Sequence, residues 1–395
     1  MAENLLDVHA AKAFVEQHTV TLTPVTMPLQ QAFGKILASD VFAPLNVPGF
    51  MQSGMDGYAF AFESLGTPLK IAGEQAAGDV SSSYVQPGTA VRIFTGAVVP
   101  DGADTVVMQE KTVVADGYLQ INDEALERGN NVRHPGSEIT KGAMALASGA
   151  RLTPAAIGFL AGMGVNEVEI IPSPRVSIIV TGNELQDPGT TPQFGKVYES
   201  NSFALLAALA QLHITDTRVY KCEDNIDALT SVLNQAIAQS DVVLMTGGVS
   251  VGDYDFTVLV SKNCGIEKVF HKLKQKPGKP LFFGTKDQVL FFGLPGNPAS
   301  VLTCFYEYVL VALEKLTLQQ MQLKKLKVPL TTVYKKPAGP THFLKGMFDG
   351  QQVHLPDGQE SYKLHSYARA NCLVVIPGAA TTIEAGEEVD IHLIP

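Results

Sequence analysis

The sequence predicts a multidomain α/β protein whose centre is a mostly parallel sheet covered by helices on both faces. Three observations carry this expectation. From Pro174 onward, apolar strand-like runs alternate with helix-like runs, the rhythm of βαβ units. The runs VSIIV (176–180), DVVLMT (241–246) and VLFFGL (289–294) are apolar throughout, as strands buried on both faces require. On either side of this stretch, short β-type runs are broken by Gly, Pro and Asp turns, so β-rich parts flank the centre.

Taken in order, residues from Leu5 to Glu16 place apolar side chains at helical spacing and predict an amphipathic helix. From Val20 to about Arg151, runs such as VRIFTG and TVVMQE predict one compact β-rich domain plus a connecting piece. The central stretch then reads as strand 176–180, helix 201–213, strand TDTRVYK, helix 226–239, strand 241–246, helix DFTVLVSKNC and strand IEKVFHKL. Strands PLFFG and VLFFGL follow, joined by a turn at Thr285–Gln288, and PASVLTCFYEYVLVALEKL is a helix. After Met321, KKLKVPLTTVYK, CLVVIPG and EEVDIHLIP predict a small β-barrel or sandwich.

Composition narrows the function. A chain of 395 residues, 46% hydrophobic and 17% charged, predicts two to four ordered domains. A net charge of −10 disfavours a nucleic-acid binder, so an anionic substrate would need a local basic site. The cysteines 222, 264, 304 and 372 form no CxxC pair, which argues against a zinc site or disulfide framework and fits a reducing cytoplasm. The N-terminus has no basic stretch followed by an apolar run, and no apolar stretch reaches bilayer length, so neither a signal peptide nor a membrane span is expected.

In an open α/β sheet, ligands bind beyond the carboxyl ends of the strands. After VSIIV comes TGNEL with Glu184. After TDTRVYK comes CEDN with Asp224. DVVLMT is followed by GGVSVGDYD, with Gly248, Ser250, Asp253 and Asp255. IEKVFHKL is followed by KQKPGKP, with Lys274, Lys276 and Lys279, and VLFFGL by PGNPAS, with Pro295, Asn297 and Ser300. If the strand order gathers these loops, one crevice holds several carboxylates, lysines and free backbone N–H groups. Clustered carboxylates suit Mg²⁺, and lysines with Gly-rich backbone suit phosphate or another oxyanion. Each loop alone also reads as an ordinary turn. Asp224, taken alone, reads first as a helix N-cap, and Asp255 has the same reading. In the β-rich half, Met55-Asp56-Gly57-Tyr58 reads structurally as a turn, and FTGAVVPDGADTVVMQE places Thr95 and Glu110 around short strands.

Together the strings PGF…S.MDGYA, R.FTGA..P.GADTVVMQE, R..G.EI..G, TG.EL, GGVSVGDYD, KPGKP and G.PGNP.S resemble, in order and over nearly the whole chain, the MoeA family, also seen in the E domain of gephyrin. The resemblance implies a molybdopterin molybdenumtransferase, which inserts molybdate into adenylylated molybdopterin with Mg²⁺-dependent release of AMP. It implies a central α/β molybdopterin-binding domain (1–18 and 172–322), an extended dimerisation arm (19–44 and 138–171), a β-rich inserted domain (45–137) and a C-terminal β-barrel (323–395). It implies a homodimer with Asp56 and Thr95 acting across the interface, and contacts with other proteins of the pathway. By motif, Asp56, Glu184, Asp224 and Asp255 become the Mg²⁺ and adenylyl-phosphate set. Lys276 and Lys279 hold phosphate or molybdate. Gly248, Ser250, Pro295, Asn297 and Ser300 line the pterin and oxyanion pocket, and Tyr58 and Glu138 are further candidates.

The chain departs from the family pattern at several points. It reads Phe50-Met51-Gln52-Ser53-Gly54-Met55-Asp56-Gly57 where relatives often read FDNSAMDG, and Glu138 stands where an Asp is usual. FLKG offers Lys345 where an Arg is frequent, a point charge in place of a two-pronged fork. The segment GQESYKLHSYARANC offers Ser361 and Ser366 as oxyanion contacts. Two other readings fit parts of the pattern: a molybdopterin adenylyltransferase, which shares the α/β domain, and a non-catalytic scaffold.

Overall fold

A computed structural model describes residues 5–79, 84–248 and 256–394. The chain divides into two compact units, 1–24 with 171–395, and 25–170.

The larger unit is built on a six-stranded sheet. Its order is Thr217–Cys222, Val176–Thr181, Val242–Thr246, Val289–Leu294, Phe282–Lys286, Glu267–His271. The first four strands are parallel, so their carboxyl ends share one edge. Phe282–Lys286 runs the other way, antiparallel to both neighbours: it forms a hairpin with Val289–Leu294, with Asp287 at φ 53° in the tight turn, and it pairs with Glu267–His271, which therefore ends at the same edge as the first four. The strand alternation explains the apolar runs. Ile178, Val180, Leu244, Leu290 and Phe292 enter one core, and Ile179, Val243, Met245 and Phe291 enter the other. Helices Ile226–Gln239 and Phe256–Asn263 cover the second face, through Leu229, Leu233 and Val260.

The first face is covered by Val8–Gln17, Asn201–Gln211 and the long run Pro298–Thr317. Val8–Gln17 begins where Asp7 Oδ1 accepts from the His9 N–H at 2.8 Å, a satisfied N-cap. The run Pro298–Thr317 carries a π-helical segment at Phe305–Val309. That segment holds Glu307, which is 2% exposed. Its carboxylate accepts from the Lys12 ammonium and pairs with His392 Nδ1 at 2.7 Å. Burial alone would raise its pKa, but His392 and Lys12 together hold it below the ordinary value. One carboxylate thus joins the first helix, the long helix and the last strand.

In the C-terminal part, Thr341–Phe348, Cys372–Ile376, Glu388–Leu393 and Lys325–Pro329 form an antiparallel path around Leu330, Val374, Ile376 and Ile391. Gln275–Lys276 adds a parallel strand beside Thr341–Phe348, so the lysine loop joins this sheet.

The smaller unit has two parts. One is a six-stranded sheet ordered Thr105–Met108, Gly57–Phe60, Thr89–Ile93, Leu69–Gln75, Tyr118–Ile121, Thr112–Ala115, with apolar cores on both faces. Gly57 is forced here, since a Cβ would lie 1.8 Å from the Val107 carbonyl oxygen. The Asp56-Gly57 turn expected from sequence is therefore a bend at 54–56 that leads straight into a strand. The other part packs helix Pro154–Gly162 and strands Val25–Pro28, Glu167–Ile171 and Ile36–Leu37 around Leu37, Leu152, Leu160 and Ile170. Among the described residues no helix is long and apolar enough to cross a membrane.

Replacing Glu307 with Ala leaves the buried His392 and the partly buried Lys12 without their acceptor, and should cost about 3 kcal/mol of stability by urea denaturation. Because Glu307 has a depressed folded pKa, its contribution is present above the unfolded carboxylate value of about 4.3 and lost as pH falls through the folded value. The gap between wild type and Glu307→Ala should therefore shrink below about pH 4. A gap that stays constant to the acid end of the titration would refute the assignment.

Candidate active site

At the carboxyl edge of the central sheet, within the larger unit, lies a cavity of about 1330 Å³. Six residues of the loops predicted to follow the strands line it: Glu184, Lys276, Lys279, Pro295, Asn297 and Ser300. They come from three loops far apart in sequence, brought together because parallel strands end on the same side.

Each loop is held in shape by a specific contact. The turn after Val242–Thr246 needs Gly247, at φ 90°, because a Cβ would meet the Thr181 carbonyl oxygen at 1.9 Å. Gly248 follows at φ 64° and packs beside the Thr181 methyl group. Asn201 fastens two strand ends together, its Nδ2 donating to Thr246 Oγ1 and to the Gly296 carbonyl, both at 2.8 Å. Its Oδ1 is buried without a partner among the described residues. The Lys276–Lys279 loop is shaped by Gln275, 2% exposed, whose Nε2 donates to the carbonyls of Pro277 (3.0 Å) and Gly278 (3.3 Å). Tyr308 in turn donates its hydroxyl to Gln275 Oε1. Gly278, at φ 85°, has no room for a side chain beside Cys304 and Gln275.

These contacts leave the ammonium groups of Lys276 and Lys279 at the cavity wall with no hydrogen bond or ion pair to any described residue. The Glu184 carboxylate is likewise unbonded among the described residues. Asn297 Nδ2 donates to Ser361 Oγ at 2.9 Å, which draws Ser361 into the same wall. Asn297 also precedes the helix starting at Pro298, and the Ala299 N–H donates to the Ser361 carbonyl at 3.1 Å, which ties the same segment to the helix start. The wall therefore offers two ammonium groups to an anionic ligand, with a carboxylate beside them.

Several residues expected at the site find a different place. Asp224 does not cap the following helix. Asn225 does, its side chain accepting from the N–H groups of Asp227 and Ala228 at 3.0 Å. Asp224 instead accepts from Thr181 Oγ1 at 2.5 Å and from the Asn183 N–H at 3.4 Å, bracing the loop that carries Glu184. Lys345 is 4% exposed, and its ammonium donates to the carbonyls of Gly358 (2.5 Å), Glu360 (3.1 Å) and Lys363 (3.1 Å). Its three N–H donors are thus occupied, and it holds a loop in place of an oxyanion. Ser366 is buried and donates to the Gly358 carbonyl at 2.6 Å, part of the same brace. Ser250, Asp253 and Asp255 lie outside the described residues. No three His, Cys, Asp or Glu side chains cluster as a metal site among the described residues.

In the smaller unit, Asp56 and Thr95 form their own pair. Asp56 Oδ1 accepts from the Thr95 N–H and from Thr95 Oγ1, both at 2.7 Å. Those bonds, with the charge of Arg92, hold the exposed Asp56 carboxyl below its ordinary pKa and fix it ionised. Arg92 lies over the rings of Phe94 and Tyr58 and donates to the Gly57 carbonyl at 2.7 Å.

Among the cavity residues that sequence reasoning missed are Asn201, Glu199, Tyr334 and His342. Glu199 is buried and accepts from the Ser202 N–H and hydroxyl. An Asn in the first turn of an otherwise apolar helix was the available signal for Asn201. Nothing in the run THFLKG distinguished His342 from a strand residue.

Three family profiles match the chain: the MoeA N-terminal region (domain I and II) over residues 6–164, a probable molybdopterin binding domain over 177–315, and the MoeA C-terminal region (domain IV) over 327–394. The molybdopterin molybdenumtransferase of Haemophilus influenzae is 36% identical over 375 residues, 92% of each chain. That of Staphylococcus aureus is 32% identical and covers 97% of this chain and 94% of its own. A crystal structure of the molybdopterin biosynthesis MoeA protein from Pyrococcus horikoshii superposes with a TM-score of 0.84 at 28% identity, covering 99% of both chains.

Replacing Gln275 with Leu removes both loop contacts and leaves the Tyr308 hydroxyl buried without an acceptor. Stability should fall by about 2 kcal/mol in urea denaturation. A wild-type unfolding curve for this variant would show that the loop does not rest on the amide.

Proposed function

The chain belongs to the MoeA family, and from that premise we propose that it is a molybdopterin molybdenumtransferase acting in molybdenum cofactor assembly, which inserts molybdate into adenylylated molybdopterin with release of AMP. The observation that carries this reading is the cavity, where two lysine ammonium groups without partners among the described residues share a wall with an unbonded carboxylate. An oxyanion fits the lysines, and the Pro295–Ser300 turn offers backbone and hydroxyl groups to a phosphorylated pterin.

Mg²⁺ belongs to the proposal. Glu184 has an unbonded carboxylate and Asp224 an oxygen held only by a 3.4 Å bond, so both retain ligating capacity toward a hard cation. Asp255 and Asp56 complete the proposed acidic set. A cation held there would polarise the adenylyl phosphate and make AMP a better leaving group. The protein's own part is to hold molybdate at Lys276 and Lys279 and to fix the pterin at the Asn297–Ser300 turn. Asp56, kept ionised by Thr95, is proposed to serve the same reaction within a homodimer.

The test is AMP release from purified protein given adenylylated molybdopterin, Mg²⁺ and molybdate, with each omitted in turn. Release that needs both Mg²⁺ and molybdate, with metal-loaded product, is expected. AMP attachment to molybdopterin from ATP would instead place the protein at the adenylyltransferase step, and silence in both assays would favour a scaffold. Lys279→Ala should raise the molybdate requirement about 10- to 100-fold, the loss of one charge-assisted contact. An unchanged requirement would remove Lys279 from this role.

A further inference from the structure

The C-terminal sheet brings to the cavity a side chain that the proposed reaction leaves without a role. His342 lies on the strand Thr341–Phe348, directly beside Lys276 in parallel register. It is 8% exposed and lines the cavity. Its Nδ1 is hydrogen-bonded to the Tyr334 hydroxyl at 2.8 Å. Its Nε2 takes no bond from any described residue, and it is not among the sealed, unpartnered polar atoms. The open nitrogen therefore meets the cavity beside an ammonium group that has no described partner.

Every charge acting on the ring is positive. Lys276 stands on the neighbouring strand, and Lys336, 7% exposed, directs its ammonium at the Gly378 carbonyl at 3.1 Å. On the opposite side the ring's strand partner is Ile376, which is apolar. Tyr334 contributes a hydroxyl whose pKa is raised by burial, so it remains a donor at neutral pH. Burial, Lys336 and Lys276 push His342 down to about 4, which keeps the empty site neutral at that ring. An anion between Lys276 and the ring would reverse the local field, since an opposite charge within about 4–6 Å favours the protonated form.

We propose that His342, oriented by Tyr334, is a third contact of the oxyanion bound at Lys276 and Lys279, and that it takes up a proton as that anion enters. The inference rests on the molybdate-binding reading of the same cavity. In the neutral ring the Tyr334 hydroxyl donates to Nδ1 and so turns Nε2–H toward the ligand; the incoming proton from solvent settles on Nδ1, and the Tyr334 hydroxyl rotates to accept from it. The sign follows from linkage. Anion binding raises the His342 pKa, so binding is tightest below the free-state value of about 4, weakens by up to about tenfold per pH unit as pH rises toward the bound-state value, and levels off above it.

The experiment is calorimetric titration of the whole protein with sodium molybdate between about pH 6 and 8, in buffers of different ionisation heats, for wild type, His342→Asn, Tyr334→Phe and Lys279→Ala. Wild type should absorb a fraction of a proton approaching one per molybdate bound. His342→Asn should lose that uptake and flatten the pH profile while still binding molybdate, a signature that a merely structural role would not give. Tyr334→Phe should keep the uptake and weaken binding. Molybdate binding with no proton uptake in wild type, or uptake unchanged in His342→Asn, would overturn this inference and leave the transferase reading standing. Binding that is absent from wild type, or indifferent to Lys279→Ala, would overturn the cavity's assignment and this inference with it.

Discussion

A parallel sheet buried on both faces can meet a ligand only at the ends of its strands. That constraint governs the larger unit. Its four parallel strands place Ile178, Val180, Leu244 and Phe292 in one core and Ile179, Val243, Met245 and Phe291 in the other, so the strand interiors are given over to packing. Function moves to the loops that leave the carboxyl edge, and those loops are Gly- and Pro-rich because backbones must approach closely there. Gly247 against the Thr181 carbonyl is the tightest such approach at this edge.

Loops so short of side chains need external support. Asn201 ties two strand ends from a helix on one face, Gln275 shapes the lysine loop through its amide, and Asp224 braces the Glu184 loop through Thr181. A hydrogen bond to a buried polar group is costly to lose, so these supports hold the loops firmly. Their common effect is that Lys276, Lys279 and Glu184 need not bond to their own protein and remain available to a ligand. The acidic chain thus keeps two ammonium groups, unpaired among the described residues, together at one cavity wall, as an anionic substrate requires.

Much of this was legible in the sequence, and the reasons are physical. Buried strands announce themselves as apolar runs, so the sheet, its helices and the loops at its edge could be placed. The six lining residues were legible because each lies in a loop that follows a strand. What failed was burial and direction of charged side chains. The resemblance puts Lys345 where the family often has an anion-binding Arg, yet a buried ammonium seeks carbonyls, and the loop 358–363 supplies three. Asp224 and Asn225 are adjacent and both suited to capping, and only backbone geometry selects Asn225. The antiparallel hairpin within the sheet was read as two strands and a turn without its direction being fixed. Glu307 and His342 lie inside apolar runs, where a single polar residue carries no periodic signal, and their partners Lys12, His392 and Tyr334 are distant in sequence or on other elements.

The central claim is that one cavity at the strand edge receives the molybdenum oxyanion. Crystals soaked in sodium molybdate and measured at the molybdenum absorption edge test it directly. An anomalous peak is expected in the cavity, in contact with Lys276 and Lys279. Peaks confined to sites away from these lysines would contradict it.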